Sequence, residues 1–174
     1  MEGKSCFFIG HREASSELLP ILMQVVEKHI SEHGVTAFFV GGSGGFDRLA
    51  AHAVISLKRR YPQIMLSLLI PYHPAERPIK TPPGFDNTYY PSEMEKVPRK
   101  FAIIRANRHM VDHVDYLIAY AWHPASNARE LVEYARNRER KGKISISLID
   151  RERSYCIEKT RSPEVNCTPF VRQV

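Results

Sequence analysis

The stretch that decides the fold is TAFFVGGSGGFDRLA, residues 36–50, in which an apolar run passes through a glycine-rich turn into an amphipathic segment. Thr36–Val40 predicts a buried β-strand, and a helix is predicted from about Arg48 to Arg60. Between them, Gly41-Gly42-Ser43-Gly44-Gly45 places four glycines in five residues. Glycines let main-chain N–H groups approach an anion closely, and the helix adds its positive N-terminal end. The turn therefore predicts a site for a phosphate-bearing ligand, with a purely structural tight turn as the alternative.

The spacing of this turn matches neither of the well-known phosphate loops. No Gly-Lys-Ser/Thr follows it, as a Walker A loop requires, and Asp47 stands where a dinucleotide fingerprint has Gly or Ala. Asp47 has two interpretations of its own. Either it caps the helix that follows, or it accepts hydrogen bonds from a ribose or a base.

Five apolar runs of strand length alternate with segments of helical periodicity. The strands are predicted at Ser5–Ile9, Thr36–Val40, Ile64–Ile70, Asp115–Ala121 and Ile144–Ile149. The helices are predicted at about residues 16–33, 48–60, 99–111 and 127–140. Strands that are apolar throughout and separated by helices predict a parallel sheet covered on both faces. The fold class is therefore α/β: a Rossmann-like three-layer sandwich around a mainly parallel five-stranded sheet.

The chain length of 174 residues suits one domain. Periodicity ends near residue 150, so a nucleotide-binding domain is predicted over residues 1–150 and a loosely packed tail over residues 151–174. A proline-rich loop over residues 71–98 is too long for a simple connector, which suggests a lid or a binding role.

The composition bears on location and partners. No signal-peptide pattern is present, and no apolar run approaches the roughly 20 residues that span a membrane. The three cysteines form no CxxC pair, which argues against a disulfide framework and a zinc site. A cytoplasmic protein without a membrane partner is expected. The formal net charge is +6, but the cations are dispersed along the chain, which disfavours nucleic acid as a partner.

Further candidate ligand contacts follow the other predicted strands, because sheets of this kind bind ligands at the carboxyl ends of their strands. After the first strand comes Gly10-His11-Arg12, in which the arginine could hold a phosphate bidentately and the histidine could donate to it. A plain surface turn is the alternative. After the fourth strand, Trp122 could stack on a base or simply pack, and Ser126 or Asn127 could cap the last helix.

The helix predicted over residues 99–111 carries three more polar candidates. Arg105 and Arg108 share a face at i, i+3 spacing, and Asn107 lies between them in sequence. The arginines face the cleft or pair with carboxylates elsewhere. His109 and His113 have i, i+4 spacing, but no glutamate accompanies them as in HExxH, so neither a metal site nor a cofactor is predicted.

The order of these motifs resembles the SLOG superfamily, which includes the DprA/Smf DNA-processing proteins and the LOG proteins. The resemblance rests on FFIGHRE (residues 7–13), FFVGGSGGFDRLA (residues 38–50) and VPRKFAIIRANRHMVDHVDYLIAYAWHPASNARELVEYA (residues 97–135). It covers about residues 5–149 and is greatest to the small bacterial DUF1273 or YpsA-like branch.

The resemblance implies a Rossmann-like fold that binds nucleotides or nucleotide-derived ligands through the turns after strands one, two and four. The residues that it implies at the site, or near it, are His11, Arg12, Gly41, Gly42, Gly44, Gly45, Asp47, Arg105, Asn107 and Arg108. LOG members hydrolyse nucleoside monophosphates with an arginine and a glutamate around a PGGxGTxxE motif. In its place this chain has Ser126-Asn127-Ala128, without those glycines and that threonine.

The leading hypothesis is binding of a nucleotide or nucleotide-derived small molecule at the glycine turn, as a sensor or a sequestering module. The alternative is an N-glycosidase-type phosphoribohydrolase acting on nucleoside monophosphates. In that case Glu130, Asp47 or Asp115 would stabilise positive charge on the ribose, and Arg12 or Arg108 would hold the phosphate. A third hypothesis, single-stranded nucleic-acid binding, requires a continuous basic groove. The sequence leaves open the identity of the ligand and whether a reaction occurs. It also leaves open a homo-oligomer, since many such sandwiches pair through helix faces.

Overall fold

Apolar runs and helical periodicity alternate along residues 3–150, the part of the chain that the computed structural model describes. Its strands are β1 (Lys4–Gly10), β2 (Val35–Val40), β3 (Met65–Leu69), β4 (Asn87–Tyr89), β5 (Tyr116–Tyr120) and β6 (Ser145–Leu148). Its α-helices are α1 (Leu19–Ser31), α2 (Gly45–Leu57), α3 (Ala102–His113) and α4 (Asn127–Glu139). Short 3-10 turns lie at Ser16–Leu18, Met94–Lys96 and Arg99–Phe101.

These strands form one parallel sheet in the order β4-β3-β2-β1-β5-β6. The central strand is β1, where Phe7 is in register with Phe39 of β2 on one side and with Leu117 of β5 on the other. The predicted α/β class and parallel sheet are confirmed.

The predicted strand count of five is wrong, because β4 lies inside the segment interpreted as a loop over residues 71–98. Its three residues are too few to show a period. Tertiary contacts hold it instead: Asp86 Oδ2 accepts a hydrogen bond from Leu66 N at 2.7 Å, and Ile70 N donates to Tyr89 O at 2.9 Å. Pairing with β3 then extends the sheet by one strand.

Helices cover both faces of the sheet, so the core is divided in two. On one face α1 and α2 contribute Leu22, Val26 and Val54 to an apolar cluster that includes Phe8 and Phe38 of the strands. The other face is covered by α3 and α4, and their side chains there include Ala106, Met110, Leu131 and Val132. This arrangement is the predicted three-layer sandwich.

Local chemistry sets the helix ends. Ser15 Oγ accepts a hydrogen bond from Glu17 N at 3.3 Å and caps the 3-10 turn before α1. Ser126 Oγ accepts one from Arg129 N at 3.1 Å, so of the two caps considered for the last helix Ser126 is the one formed. The start predicted for α2 is wrong by one turn. This helix begins at Gly45 with Gly44 as its N-cap, which places Asp47 inside the first turn and rules out the cap interpretation of Asp47.

The predicted tail over residues 151–174 lies outside the described residues, and the domain boundary near residue 150 stays a prediction. Within residues 3–150, no helix is both long enough and apolar enough to cross a membrane.

Candidate functional site

The strand order places a crevice between β1 and β5, which are neighbours in the sheet. From β1 the chain proceeds to β2 on one side, whereas from β5 it proceeds to β6 on the other. Ligands in open parallel sheets bind outside the carboxyl ends of the strands at such a change of direction. Three segments meet at this edge: Gly10-His11-Arg12 after β1, the glycine turn after β2, and Trp122-His123 after β5.

The main-chain amides of the glycine turn bind groups of the chain itself. The amides of Ser43 and Gly44 hydrogen bond to the Asp47 carboxylate, with 3.1 Å between Ser43 N and Oδ2. Gly45 N donates to Arg12 O at 2.8 Å, and Phe46 N donates to His11 O at 3.3 Å. The start of α2 is thus joined to the turn after β1.

Two of the glycines are required by these close approaches. A Cβ at position 41 would lie 2.9 Å from Asp47 Oδ2, and a Cβ at position 45 would lie 2.5 Å from Arg12 O. Side chains at positions 42 and 44 would make ordinary contacts, with nearest distances of 3.4 Å. Gly41 therefore makes room for the carboxylate, and Gly45 for the neighbouring turn.

Asp47 is half-buried and borders a cavity on each side of the turn. Burial raises the pKa of its carboxyl group above the ordinary 3.8, while the Ser43 and Gly44 amides and nearby Arg48 act in the opposite direction. An ionised carboxylate offers about four acceptor positions, so acceptor capacity remains after the two amide bonds.

The first of the two cavities, the turn cavity, has a volume of about 60 Å³. Gly41, Gly42, Ser43 and Asp47 line it together with Phe7, Phe8, Ile9, Leu69, Pro71, Ile103, Ala106 and Asn107. It holds a few water molecules at most, because each water needs roughly 10–15 Å³ of such space. A base does not fit into it without movement of the walls.

The second, the lateral cavity, has a volume of about 380 Å³, which lies in the range typical of small-molecule sites. Its floor is Gly41, Gly42 and Asp47. Its apolar walls come from α2, β3 and the segment before β4, and it is lined by Ala51, Ile55, Leu68, Pro82 and Phe85. Arg48 and His52, one turn apart on α2, complete it.

Seven of the ten residues that line this cavity are absent from the set predicted from sequence, and Arg48, His52, Pro82 and Phe85 are among them. Arg48 and His52 are ordinary exposed helix residues until the fold brings the segment before β4 beside them. The only signal for Pro82 and Phe85 was the length of the loop over residues 71–98.

His11 links the carboxyl ends of β1 and β5. Its Nε2 accepts a hydrogen bond from His123 N at 3.1 Å, which places the proton of the neutral ring on Nδ1. Its ring packs edge-on against Trp122, with centroids 5.1 Å apart. Burial lowers the pKa of His11 below the ordinary 6.5, and His123 lowers it further. Trp122 is 51% exposed, so one face of its ring is open to a ligand.

The two predicted arginines of α3 do not lie at the glycine turn. Arg105 and Arg108 border a groove of about 610 Å³ between α3 and residues 92–97, and Arg108 stacks on the Tyr134 ring with its guanidinium carbon 5.3 Å from the centroid. Asn107 lines the turn cavity instead. The helical period separates Asn107 from the two arginines, so the three residues border different cavities.

The predicted carboxylates are also separated. Asp115 lies at the amino ends of the strands, where its Oδ2 accepts hydrogen bonds from Ser5 N at 2.8 Å and Ser5 Oγ at 3.1 Å. This edge is opposite the one where the glycine turn lies, so Asp115 is far from that turn. Glu130 is exposed on α4 and borders none of the three cavities described above. Asp47 alone among the three candidates borders one of these cavities.

The remaining predicted contacts border none of the cavities described above. Arg12 is exposed, and its carbonyl oxygen accepts from Gly45 N. Ser126 Oγ caps α4 and donates to His123 O at 2.9 Å, while Asn127 is exposed at the first position of that helix. His109 and His113 stack with centroids 4.1 Å apart, and residues 3–150 contain no cluster of three or more potential metal ligands.

This fold and this edge define a Rossmann-like domain with a glycine turn after its second strand. Residues 6–80, which contain β1, β2 and the glycine turn, match the sequence model of YpsA, the YspA SLOG family. The SLOG resemblance inferred from the motifs is therefore confirmed over those residues.

A solved structure supports the same fold. The chain is similar to the Moco Carrier Protein from Chlamydomonas reinhardtii, with a TM-score of 0.50 and 15% sequence identity over 85% of this chain and 76% of that one. At that identity the likeness establishes the fold. No curated protein sequence matches this chain significantly.

Proposed function

We propose that this protein binds a nucleotide or a nucleotide-derived small molecule at the glycine turn, as a sensor or a sequestering module. The observation that carries the proposal is the position of Asp47. Its half-buried carboxylate borders two cavities at the carboxyl edge of the sheet, which are lined by residues of β1, the glycine turn, β3, the segment before β4, α2 and α3. That edge is where folds of this kind bind ligands.

The lateral cavity suits the planar part of such a ligand. Leu68, Ile55 and Phe85 provide apolar walls, and Asp47 provides an acceptor at the floor. Pockets of this composition, mostly apolar with a few directed polar groups, are typical of small-molecule sites. Arg48 and His52 stand at its rim on α2, where a negatively charged group of the ligand would find a cation.

The Moco Carrier Protein, which has a similar fold, is by its name a protein that carries a small molecule. This likeness is consistent with binding as the function, and it does not identify the ligand of this chain. The match to the SLOG family model over residues 6–80 places the glycine turn within the matched segment.

A phosphoribohydrolase is the second candidate, and Asp47 is the observation that favours it. A carboxylate beside a cavity can stabilise the oxocarbenium-like state in which a glycosidic bond breaks. Of the three predicted carboxylates, Asp47 alone borders a cavity at the carboxyl edge of the sheet, so this reaction would depend on it.

A thermal-shift screen against nucleoside monophosphates, dinucleotides, ADP-ribose and a single-stranded oligonucleotide tests the proposal. A ligand at 100 times its Kd stabilises the folded state by about 2.7 kcal/mol, which gives a measurable rise in Tm. We expect a rise with at least one small molecule, reduced in Asp47→Asn. The matched control is Glu32→Gln, an exposed carboxylate at the end of α1, which should retain the rise.

Two outcomes would contradict binding at the turn: no shift with any compound, or an equal shift in Asp47→Asn and wild type. A shift with the oligonucleotide alone would favour the nucleic-acid hypothesis. Chromatography of the same mixtures for free base decides the second candidate. Base released by wild type and not by Asp47→Asn would establish the hydrolase.

A further inference from the structure

The glycine turn has the sequence of an anion-binding loop, yet its amides hold an anion that belongs to the protein. Ser43 and Gly44 donate to the Asp47 carboxylate, and the next two amides donate to carbonyl oxygens of the turn after β1. Four consecutive N–H groups, from Ser43 to Phe46, are thus engaged. A phosphate bound by any of these four N–H groups would have to displace its present partner.

We propose that the Asp47 carboxylate occupies the position at the glycine turn where a phosphate would otherwise bind. The end of the ligand that donates hydrogen bonds, and not its phosphate, would therefore contact the turn. This inference deepens the proposed function and rests on it for the identity of the ligand class. The donating groups would be the vicinal hydroxyls of a ribose or the amino edge of a base. Both can donate to the remaining acceptor positions of a carboxylate.

The glycines support this assignment. Gly41 leaves space for Asp47 Oδ2, because a Cβ at position 41 would lie 2.9 Å from that oxygen. Gly45 leaves space for Arg12 O, because a Cβ at position 45 would lie 2.5 Å from it. Both close approaches are internal to the protein. These two glycines are therefore explained without a bound phosphate.

Charge supports it as well. A phosphate placed over the turn would lie beside a half-buried carboxylate, and two like charges repel strongly where water is partly excluded. A cation, Arg48, and a further hydrogen-bonding side chain, His52, also line the lateral cavity. A ligand with its ribose or base at Asp47 would extend its phosphate towards those residues.

NMR with inorganic phosphate tests the turn directly, without knowledge of the natural ligand. In wild type, the amide resonances of Ser43 and Gly44 should not move when phosphate is added to tens of millimolar. In Asp47→Ala, the same two amides lose their acceptor, and phosphate should then shift them. Asp47→Asn, which keeps an acceptor oxygen in place, should behave like wild type.

Movement of the Ser43 and Gly44 resonances in wild type would overturn the inference. So would an Asp47→Ala protein that is folded and insensitive to phosphate. If Asp47→Ala does not fold, Asp47→Ser provides the same test with a side chain that is too short to fill the position.

Matched ligands then identify the donating end. For any nucleotide that binds, we expect removal of the 2′ and 3′ hydroxyls, or of the amino group of the base, to weaken binding by about tenfold or more. Loss of the phosphate should leave the Ser43 and Gly44 shifts of the bound state unchanged. If binding depends on the phosphate of the ligand, and that phosphate shifts the Ser43 and Gly44 amide resonances, the inference is contradicted while the proposed function stands. If no nucleotide binds but Asp47→Ala acquires phosphate binding, the proposed function fails and the assignment of the turn holds.

Discussion

His11 Nε2 and the main-chain N–H of His123 form a hydrogen bond of 3.1 Å that spans the crevice between β1 and β5. A second hydrogen bond, from His11 N to Tyr120 O at 3.2 Å, joins the same two strand ends. The chain contains a single tryptophan, Trp122, and its ring centre lies 5.1 Å from that of His11. Fluorescence of this one residue therefore reports on the state of the link.

We predict that acid breaks the link between His11 and His123. A protonated Nε2 cannot accept a hydrogen bond, and burial lowers the pKa of His11 below 6.5. The pKa of His11 is lower in the folded state than in the unfolded state. The contribution of this group to stability is therefore present above pH 6.5 and is lost as the pH falls below that value. A pH titration of Trp122 fluorescence should show a transition below pH 6.5.

The controls separate His11 from its neighbour. His11→Phe keeps an aromatic ring and should lack the transition. His123→Gln should keep it, because the bond uses the main-chain nitrogen of residue 123. A transition that persists in His11→Phe would show that another group causes it.

We predict that Gly45→Ala destabilises the protein and that Gly42→Ala does not. The new Cβ at position 45 would lie 2.5 Å from the backbone oxygen of Arg12, so the two turns must separate, whereas the one at position 42 would lie 3.4 Å from Leu68 Cδ1. Forced shifts of this kind cost about 1–3 kcal/mol. Urea denaturation of both variants measures the difference. Equal unfolding free energies would mean that the contact between Gly45 and Arg12 is not required.

We predict that His29 makes the fold sensitive to acid. Its Nδ1 donates to Val25 O at 2.7 Å, and its Nε2 is 3.3 Å from Ser147 Oγ in the core between α1 and the sheet. Burial is the largest cause that lowers the pKa of His29 from 6.5 to about 4. The unfolded state binds a proton first, so stability decreases as the pH falls from 6.5 to about 4, by roughly 3 kcal/mol in total.

The measurement is the free energy of unfolding of wild type and His29→Leu at several pH values. Their difference should change by that amount across the interval, because the leucine variant lacks this titration. A difference that does not vary with pH would contradict the prediction.

We predict that Asp86→Ala loosens β4 and the wall of the lateral cavity. Asp86 Oδ2 accepts from Leu66 N at 2.7 Å and forms an ion pair with Lys58 Nζ at 2.5 Å. Because the side chain is partly exposed, the expected loss of stability is about 1 kcal/mol. Hydrogen exchange should increase at Asn87–Tyr89 and at Phe85, and not at the central strand β1. An equal increase in hydrogen exchange at Asn87–Tyr89 and at β1 would contradict this local role.

Much of the fold could be predicted from sequence, because its signals are local. Five of the six residues 35–40 are β-branched or aromatic, and Leu22, Val25 and Val26 repeat at helical spacing on α1, so each element carries its own pattern. The strand at Asn87–Tyr89 could not be predicted in this way. It has three residues, and its pairing depends on Asp86 meeting a strand about 20 residues earlier.

The candidate site was predicted only in part, for a similar reason. Proximity along the chain indicated the glycine turn and Gly10-His11-Arg12, and both lie at the crevice. Spacing could not show which edge of the sheet Asp115 occupies, nor that Arg105 and Asn107 face different cavities. Those facts depend on the direction of each strand and on the rotation of α3 against the sheet.

The sequence alone determined the α/β class, the parallel sheet and the position of the glycine turn between a strand and a helix, because hydrophobic period and glycine content act over a few neighbouring residues. The tertiary structure decided what the turn holds. Its amides are occupied by the carboxylate of Asp47 and by the carbonyl oxygens of His11 and Arg12, and the latter two lie more than 30 residues away in the chain. A hydrogen-bond donor in a turn is satisfied by whichever acceptor the packed strands bring to it, and that choice is made only when β1 and β2 lie side by side.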